Sequence, residues 1–214
     1  MVKILLADDH DVVRRGLRDM LNAHDGWEVC GEASNGREAV NLTRSLAPDV
    51  VVLDYSMPEL NGLEAARQIH HEMPGTEILI FTMHETEQLI RDVLAAGARG
   101  YVLKSDAGRH LVNAVEALSH HKPFFTAKVS QALLDAYLNS PTQADSTPFR
   151  SLTPREREIV QMLAEGKSNK EIAAGLSISV KTVETHRSTV MRKLEINSIV
   201  ELVHYAIRNG LVEA

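Results

Sequence analysis

Val50-Val51-Val52-Leu53-Asp54, running on into Tyr55-Ser56-Met57-Pro58-Glu59-Leu60-Asn61-Gly62, is a block of apolar side chains that stops on a carboxylate and opens into a loop. Three consecutive β-branched residues favour an extended strand. Because the block does not alternate with polar residues, both faces of that strand must be covered by other parts of the chain. Two more stretches have the same character. Ile4-Leu5-Leu6-Ala7 ends on Asp8-Asp9, and Ile78-Leu79-Ile80-Phe81 ends on Thr82. Strand-length segments thus fall at residues 2–7, 27–32, 49–53, 77–82 and 100–104. Between and after them, residues 13–23, 37–46, 63–71, 87–95 and 107–120 carry apolar side chains at helical spacing.

Strands that alternate with helices form a parallel sheet, and its crossovers are right-handed almost without exception. The economical arrangement is an α/β fold with a flavodoxin-like, doubly wound, five-stranded parallel sheet over residues 1–121. Beyond Leu118 the pattern changes. His120-His121-Lys122-Pro123 stops the fifth helix, one more helix is expected at about 127–138, and residues 139–148 are polar, Pro-flanked and without apolar period. Residues 122–148 are therefore expected to be a linker around that helix. Residues 149–214 contain no strand-like run and show four helix starts: Thr153-Pro154-Arg155-Glu156, Ser168-Asn169-Lys170-Glu171, Ser179 before residues 180–194, and Ser198-Ile199-Val200-Glu201. They predict a small all-α domain of four helices.

Composition narrows the function classes. The chain has 214 residues and one cysteine, Cys30, so neither an internal disulfide nor a Cys-rich zinc site is available. With no long apolar run and no export-type start, neither a membrane span nor a membrane partner is expected, and the expected location is cytoplasmic. The net charge is −6, from 23 Lys+Arg and 29 Asp+Glu. That average hides a division: residues 148–214 hold 10 basic and 8 acidic side chains, and the other 13 and 21 lie in residues 1–147. The two parts carry different electrostatic tasks.

In a parallel α/β sheet, chemistry collects at the carboxyl ends of the strands. There the expected topology gathers Asp8 and Asp9, Asp54, Thr82 and Lys104 from four strands far apart in sequence. Three neighbouring carboxylates repel unless a cation neutralises them, and hard oxygen donors suit Mg2+. A carboxylate beside Mg2+ can attack a phosphoryl group and form an aspartyl-phosphate, and Asp54 is the best-placed nucleophile. The pairs His70-His71 and His120-His121 make poor metal sites, because adjacent helical residues face different ways.

Ala7-Asp8-Asp9-His10, the Asp54 block, Thr82 and Tyr101-Val102-Leu103-Lys104 together resemble the receiver domain of two-component response regulators. The resemblance implies that Asp54 accepts phosphate from a sensor histidine kinase. It implies Asp9, Asp54 and the Ser56 main-chain carbonyl as Mg2+ ligands, with Asp8 assisting through water. Lys104 would pair with the phosphate, and Thr82 and Tyr101 would form the switch pair. Many receivers have Pro after this Lys with a cis peptide; here Ser105 follows, where a cis bond would cost about 2.5–4 kcal/mol. A metal-dependent phosphatase is the competing enzyme reading. Ser56 stands where its second acidic residue would be, so the chain is expected not to be an enzyme.

Residues 169–188, from Asn169 to Ser188, break into helix, short turn and helix, with Ile172, Leu176, Ile178 and Val183 as the expected buried set and small Ala173 at the crossing. This is the pattern of a helix-turn-helix whose second helix enters the DNA major groove. The order of motifs from Leu152 to Arg187 looks like the LuxR-type DNA-binding domain, and joined to a receiver it resembles the NarL/FixJ family of transcriptional regulators. Base readers in that family fall near Glu184, Thr185 and Ser188. Glu184 could accept from cytosine N4 or serve the helix backbone. Lys167, Lys170, Lys181, Thr182, His186, Arg187 and Lys193 are expected at phosphates or in positioning. The partners so implied are a kinase, a double-stranded operator with two half-sites, and a second copy of the chain through its last helix.

Overall fold

The computed structural model describes residues 1–84, 86–127, 129–131 and 152–212, which fall into two compact units. The first is a parallel sheet built from β1 (Val2–Ala7), β2 (Trp27–Ala33), β3 (Val50–Asp54), β4 (Glu77–Thr82), β5 (Gly100–Leu103) and β6 (Phe124–Phe125), in the order β2-β1-β3-β4-β5-β6. Its helices are α1 (Asp11–Asn22), α2 (Gly36–Leu46), α3 (Gly62–Glu72), α4 (Glu87–Ala95) and α5 (Ala107–Ser119). Every residue of β3 and β4 is buried, as their unbroken apolar sequence requires.

The sheet has six strands where the sequence predicts five. After α5, His121 takes a left-handed backbone conformation at φ 58° and turns the chain back. Phe124 and Phe125 then pair in parallel with Gly100 and Tyr101. Two residues are too short a run for strand periodicity to show, and their aromatic side chains suit an edge position. Of the helix expected at about 127–138, residues 127 and 129–131 are helical, and 132–138 lie outside the described residues, as does the polar stretch 139–148.

One core cluster lies between the sheet and α1 and α5, and includes Ile4, Leu6, Leu17, Leu21, Val52, Phe81 and Leu111. Helices α2, α3 and α4 start on the polar residues that precede them: Asn35 accepts from the Glu38 N–H, Asn61 from Glu64 and Thr86 from Leu89. Gly62 is a position of close approach. A Cβ there would lie 2.0 Å from the Asp54 carbonyl oxygen, while the Gly62 N–H donates to the Tyr55 carbonyl at 2.8 Å. Only glycine lets the loop after Asp54 close so tightly on its own strand.

The second unit consists of α6 (Pro154–Ala164), α7 (Asn169–Gly175), α8 (Val180–Lys193) and α9 (Ile199–Arg208). Thr153 and Ser168 form reciprocal capping boxes with Glu156 and Glu171, and Ser179 and Ser198 cap α8 and α9. The last of these differs in detail, since the Glu201 carboxylate accepts from the Asn197 N–H, one residue before the cap. All four helices end alike. Gly166, Ser177, Glu195 and Gly210 have positive φ, and each is followed by an N–H that bonds back to the carbonyl five residues earlier, as Ile178 does to Ala173 at 3.0 Å. Leu152, Ile159, Ile172, Leu176, Val183, Val190, Leu202 and Ala206 form the core, with Ile178 packed against its edge.

Candidate functional site

The carboxyl edge of the sheet gathers the acidic residues. Asp8 follows β1 and is 1% exposed; Asp54 ends β3 and is 3% exposed. Between them stands the Lys104 ammonium, 2.7 Å from Asp8 Oδ2 and 2.8 Å from Asp54 Oδ2. Asp9 is more open, and ligand atoms of Asp8, Asp9, His10 and Asp54 all lie within 4.8 Å of one another. It is the one group of this kind found among the described residues. The His10 ring, absent from the expected set, brings Nδ1 to 2.7 Å from Asp9 Oδ1 and 3.2 Å from Asp8 Oδ1. Its backbone N–H donates to Asp8 Oδ1 at 2.8 Å.

The electrostatics follow from that packing. Burial lifts the Asp54 carboxyl, and although hydrogen bonding and charge from Lys104 and the Ser56 N–H pull it back, it stays raised, at about 6 against an ordinary 3.8. Burial pulls Lys104 down, but the hydrogen bonds and charges of Asp54 and Asp8 outweigh it, and Lys104 is held above its usual value. Of the three carboxylates, Asp8 and Asp54 share one ammonium, and Asp9 meets only the His10 ring. Three carboxylates with that deficit of positive charge offer the hard oxygen donors and the negative charge that fit Mg2+, with the His10 ring at the rim.

Thr82 and Tyr101 meet through main chain. Thr82 is 1% exposed, and its hydroxyl oxygen accepts from the His84 N–H at 3.1 Å. Tyr101 is fully buried, and its hydroxyl donates to the His84 carbonyl. The His84 backbone is therefore held at both its N–H and its carbonyl, a link with no signature in the sequence. Lys104 leads into a short 3-10 turn, Lys104–Asp106, and the Lys104–Ser105 peptide is trans.

The helix-turn-helix has its own charged surface. The turn between α7 and α8 passes through Ser177 at φ 53°. Lys181, Glu184, Thr185, Ser188, Thr189 and Arg192 line a shallow open depression along the outer side of α8. The spacing of these residues is that of one helical stripe. Thr182 exchanges a hydrogen bond with the Ser179 hydroxyl at 2.8 Å, and the Thr185 hydroxyl donates to the Lys181 carbonyl at 2.9 Å. Lys170 is exposed, while His186 and Arg187 are half-buried at the flank of α8. Lys167 lies 3.4 Å from Glu165.

Lys193 stands apart from the other cations. Its ammonium lies 2.8 Å from Glu156 Oε2, the same oxygen that accepts the Thr153 N–H in the capping box. Burial raises the Glu156 carboxyl, yet Lys193 and the Thr153 contacts overcome it and leave Glu156 below its ordinary value. Adjacent residues on a helix point about 100° apart. Lys193 therefore ties α8 to α6, and Arg192 occupies the outer stripe at that level. Nothing in the order Arg192-Lys193 separates the two; the position of Glu156, 37 residues earlier, does.

Residues 4–116 match the family model for the response regulator receiver domain, and residues 150–206 that for bacterial regulatory proteins of the luxR family. The chain is 41% identical to the oxygen regulatory protein NreC of Staphylococcus carnosus, the match spanning 99% of this chain and 100% of that protein. It is 39% identical to the transcriptional regulatory protein LiaR of Bacillus subtilis, again over 99% and 100%. A solved LuxR-family two-component response regulator from Aurantimonas sp. shares 35% identity at a TM-score of 0.61, over 65% of this chain and 99% of that one. RcsB of Salmonella enterica serovar Typhimurium, solved on the promoter rprA with the phosphomimetic BeF3−, shares 28% identity at a TM-score of 0.60, over 95% and 97%.

Proposed function

We propose, for a chain that belongs to the two-component response regulators with a receiver domain and a LuxR-type DNA-binding domain, that Asp54 is the residue through which phosphorylation controls binding to DNA. Proteins of this family regulate transcription. The observation that carries the residue-level reading is the fork of Lys104 between Asp8 and Asp54, two buried carboxylates at the carboxyl edge of a parallel sheet.

Asp8, Asp9, Asp54 and the Ser56 main-chain carbonyl would hold Mg2+, which when bound offsets charge on the transferring phosphoryl oxygens. The Asp54 carboxylate attacks the phosphorus of a phosphohistidine on a sensor histidine kinase, and the histidine leaves with the bonding electron pair. Lys104 then turns from Asp54 Oδ2 to the new phosphate. The Thr82 hydroxyl turns from the His84 N–H to donate to a phosphate oxygen, and Tyr101, held to the carbonyl of the same residue, registers the change. The chain is in this reading a phosphorylated regulator and not an enzyme that turns substrate over.

Residues 1–121 act as the receiver, 122–148 as the connection and 149–214 as the output domain. Its helix α8 enters the major groove of an operator with two half-sites, each contacted by one copy of a homodimer. No described helix is long and apolar enough to cross a membrane; the protein acts in the cytoplasm in this reading. Incubation with Mg2+ and a small phosphodonor, read by intact-mass spectrometry, tests the first step. A single phosphoryl adduct is expected on the wild type and none on Asp54→Asn; an adduct that persists in the variant would place the acceptor elsewhere.

A further inference from the structure

The outer stripe of α8 has cations at its two ends and none between. Lys181 and Arg192 are eleven residues apart, roughly 16 Å along a helix axis. Glu184, Thr185, Ser188 and Thr189 fill the interval. A spacing of that order lets the two cations reach phosphates on either side of a major groove about 12 Å wide, while the middle of the stripe faces base edges. An acidic side chain in that middle is costly beside a polyanion unless it meets a hydrogen-bond donor.

Glu184 is exposed and has neither a hydrogen bond nor an ion pair among the described residues, although Lys181 and Ser188 lie one turn to either side. The backbone of α8 does not need it. Ser179 caps the helix through the Thr182 N–H at 3.0 Å, and Glu184 lies beyond the first turn, where the N–H groups already have helical partners. The carboxylate is thus available, and it can only accept. The major groove presents donors only as the amino groups of cytosine and adenine. Adenine sets its N7 acceptor beside that donor, which repels a carboxylate, whereas cytosine has only a C5–H there. Thr185 does not compete as a donor, because its hydroxyl is given to the Lys181 carbonyl.

We infer that Glu184 is the specificity-determining residue of each half-site and accepts from the N4 amino group of a cytosine in a C·G pair. This rests on the reading of α8 as the groove helix. The test uses the full chain treated with Mg2+ and a small phosphodonor, and selects bound duplexes from a library with a randomised core. The expected result is a motif with C·G at one position of each half-site. In Glu184→Ala the preference at that position alone falls roughly tenfold, while the flanking positions keep theirs. In Glu184→Gln the preferred base shifts from cytosine towards adenine, which offers both donor and acceptor to an amide. If both variants select the wild-type motif, or simply bind every duplex more tightly, Glu184 acts through charge alone and the inference fails. A wild type that enriches no motif would instead overturn the reading of α8 as a sequence-reading helix.

Discussion

The two charged regions of this chain are opposites in how they hold charge. At the receiver edge, Asp8 and Asp54 are almost fully buried and share one ammonium within 2.8 Å of each. On the outer face of α8, Lys181, Glu184 and Arg192 are exposed, and none of these side chains pairs with another described residue. Burial makes charge expensive, so the first region responds sharply to any added charge. Exposure makes it cheap, so the second holds its groups ready for a ligand that supplies the partner. A phosphoryl group acts on the first kind of site; a polyanion with patterned edges acts on the second.

The contrast breaks most severely at Lys104. Lys104→Ala leaves two carboxylates buried without their cation and is expected to lower unfolding free energy by about 3 kcal/mol or more at neutral pH. The loss shrinks as the pH falls and the carboxylates protonate. Denaturant unfolding across pH 4–8 measures both; a constant, small loss would show that the fork contributes little.

Asp54→Asn probes the same site with the opposite sign. The folded carboxyl titrates at about 6 against an ordinary 3.8, so the fold favours the protonated form. That contribution is complete below about pH 4 and is lost as the pH rises through 6, which amounts to roughly 2–3 kcal/mol. In the absence of divalent ions, Asp54→Asn is therefore expected to be more stable than wild type at pH 7.5 by up to that amount, with the difference vanishing near pH 4. Mg2+ should raise the thermal midpoint of wild type more than that of the variant. Equal pH dependence in the two proteins would contradict the raised carboxyl.

The smallest effect separates two neighbours on α8. Lys193→Ala is expected to cost about 1 kcal/mol of stability, since it strips the cation from Glu156, and to change DNA affinity little. Arg192→Ala should leave stability unchanged, weaken binding on every sequence alike and reduce the salt slope of binding by about one unit. Exchange of these two phenotypes would reverse the assignment.

Much of this was legible in the sequence because the signals are local or repeated. Unbroken apolar runs at Val50–Leu53 and Ile78–Phe81 announce buried parallel strands, and a polar residue at the end of each is carried by the topology to one edge. The caps at Thr153, Ser168 and Ser179 need only three residues to be recognised. What stayed hidden depends on contacts between distant residues or on very short elements. The strand Phe124–Phe125 is too brief to show a period. His84, which joins Thr82 to Tyr101, contributes only backbone atoms to that link, which any residue but proline would supply. Nor does the order Arg192-Lys193 tell which cation faces Glu156.

Phosphorylation of one buried carboxylate and recognition of DNA by one exposed helix are joined most directly by a single titration. The full chain is titrated onto the duplex motif it selects, with and without Mg2+ and a small phosphodonor, alongside Asp54→Asn. Binding should tighten on phosphodonor treatment in the wild type alone and stay at the resting level in Asp54→Asn. Equal affinity in all four conditions would contradict control of α8 through Asp54.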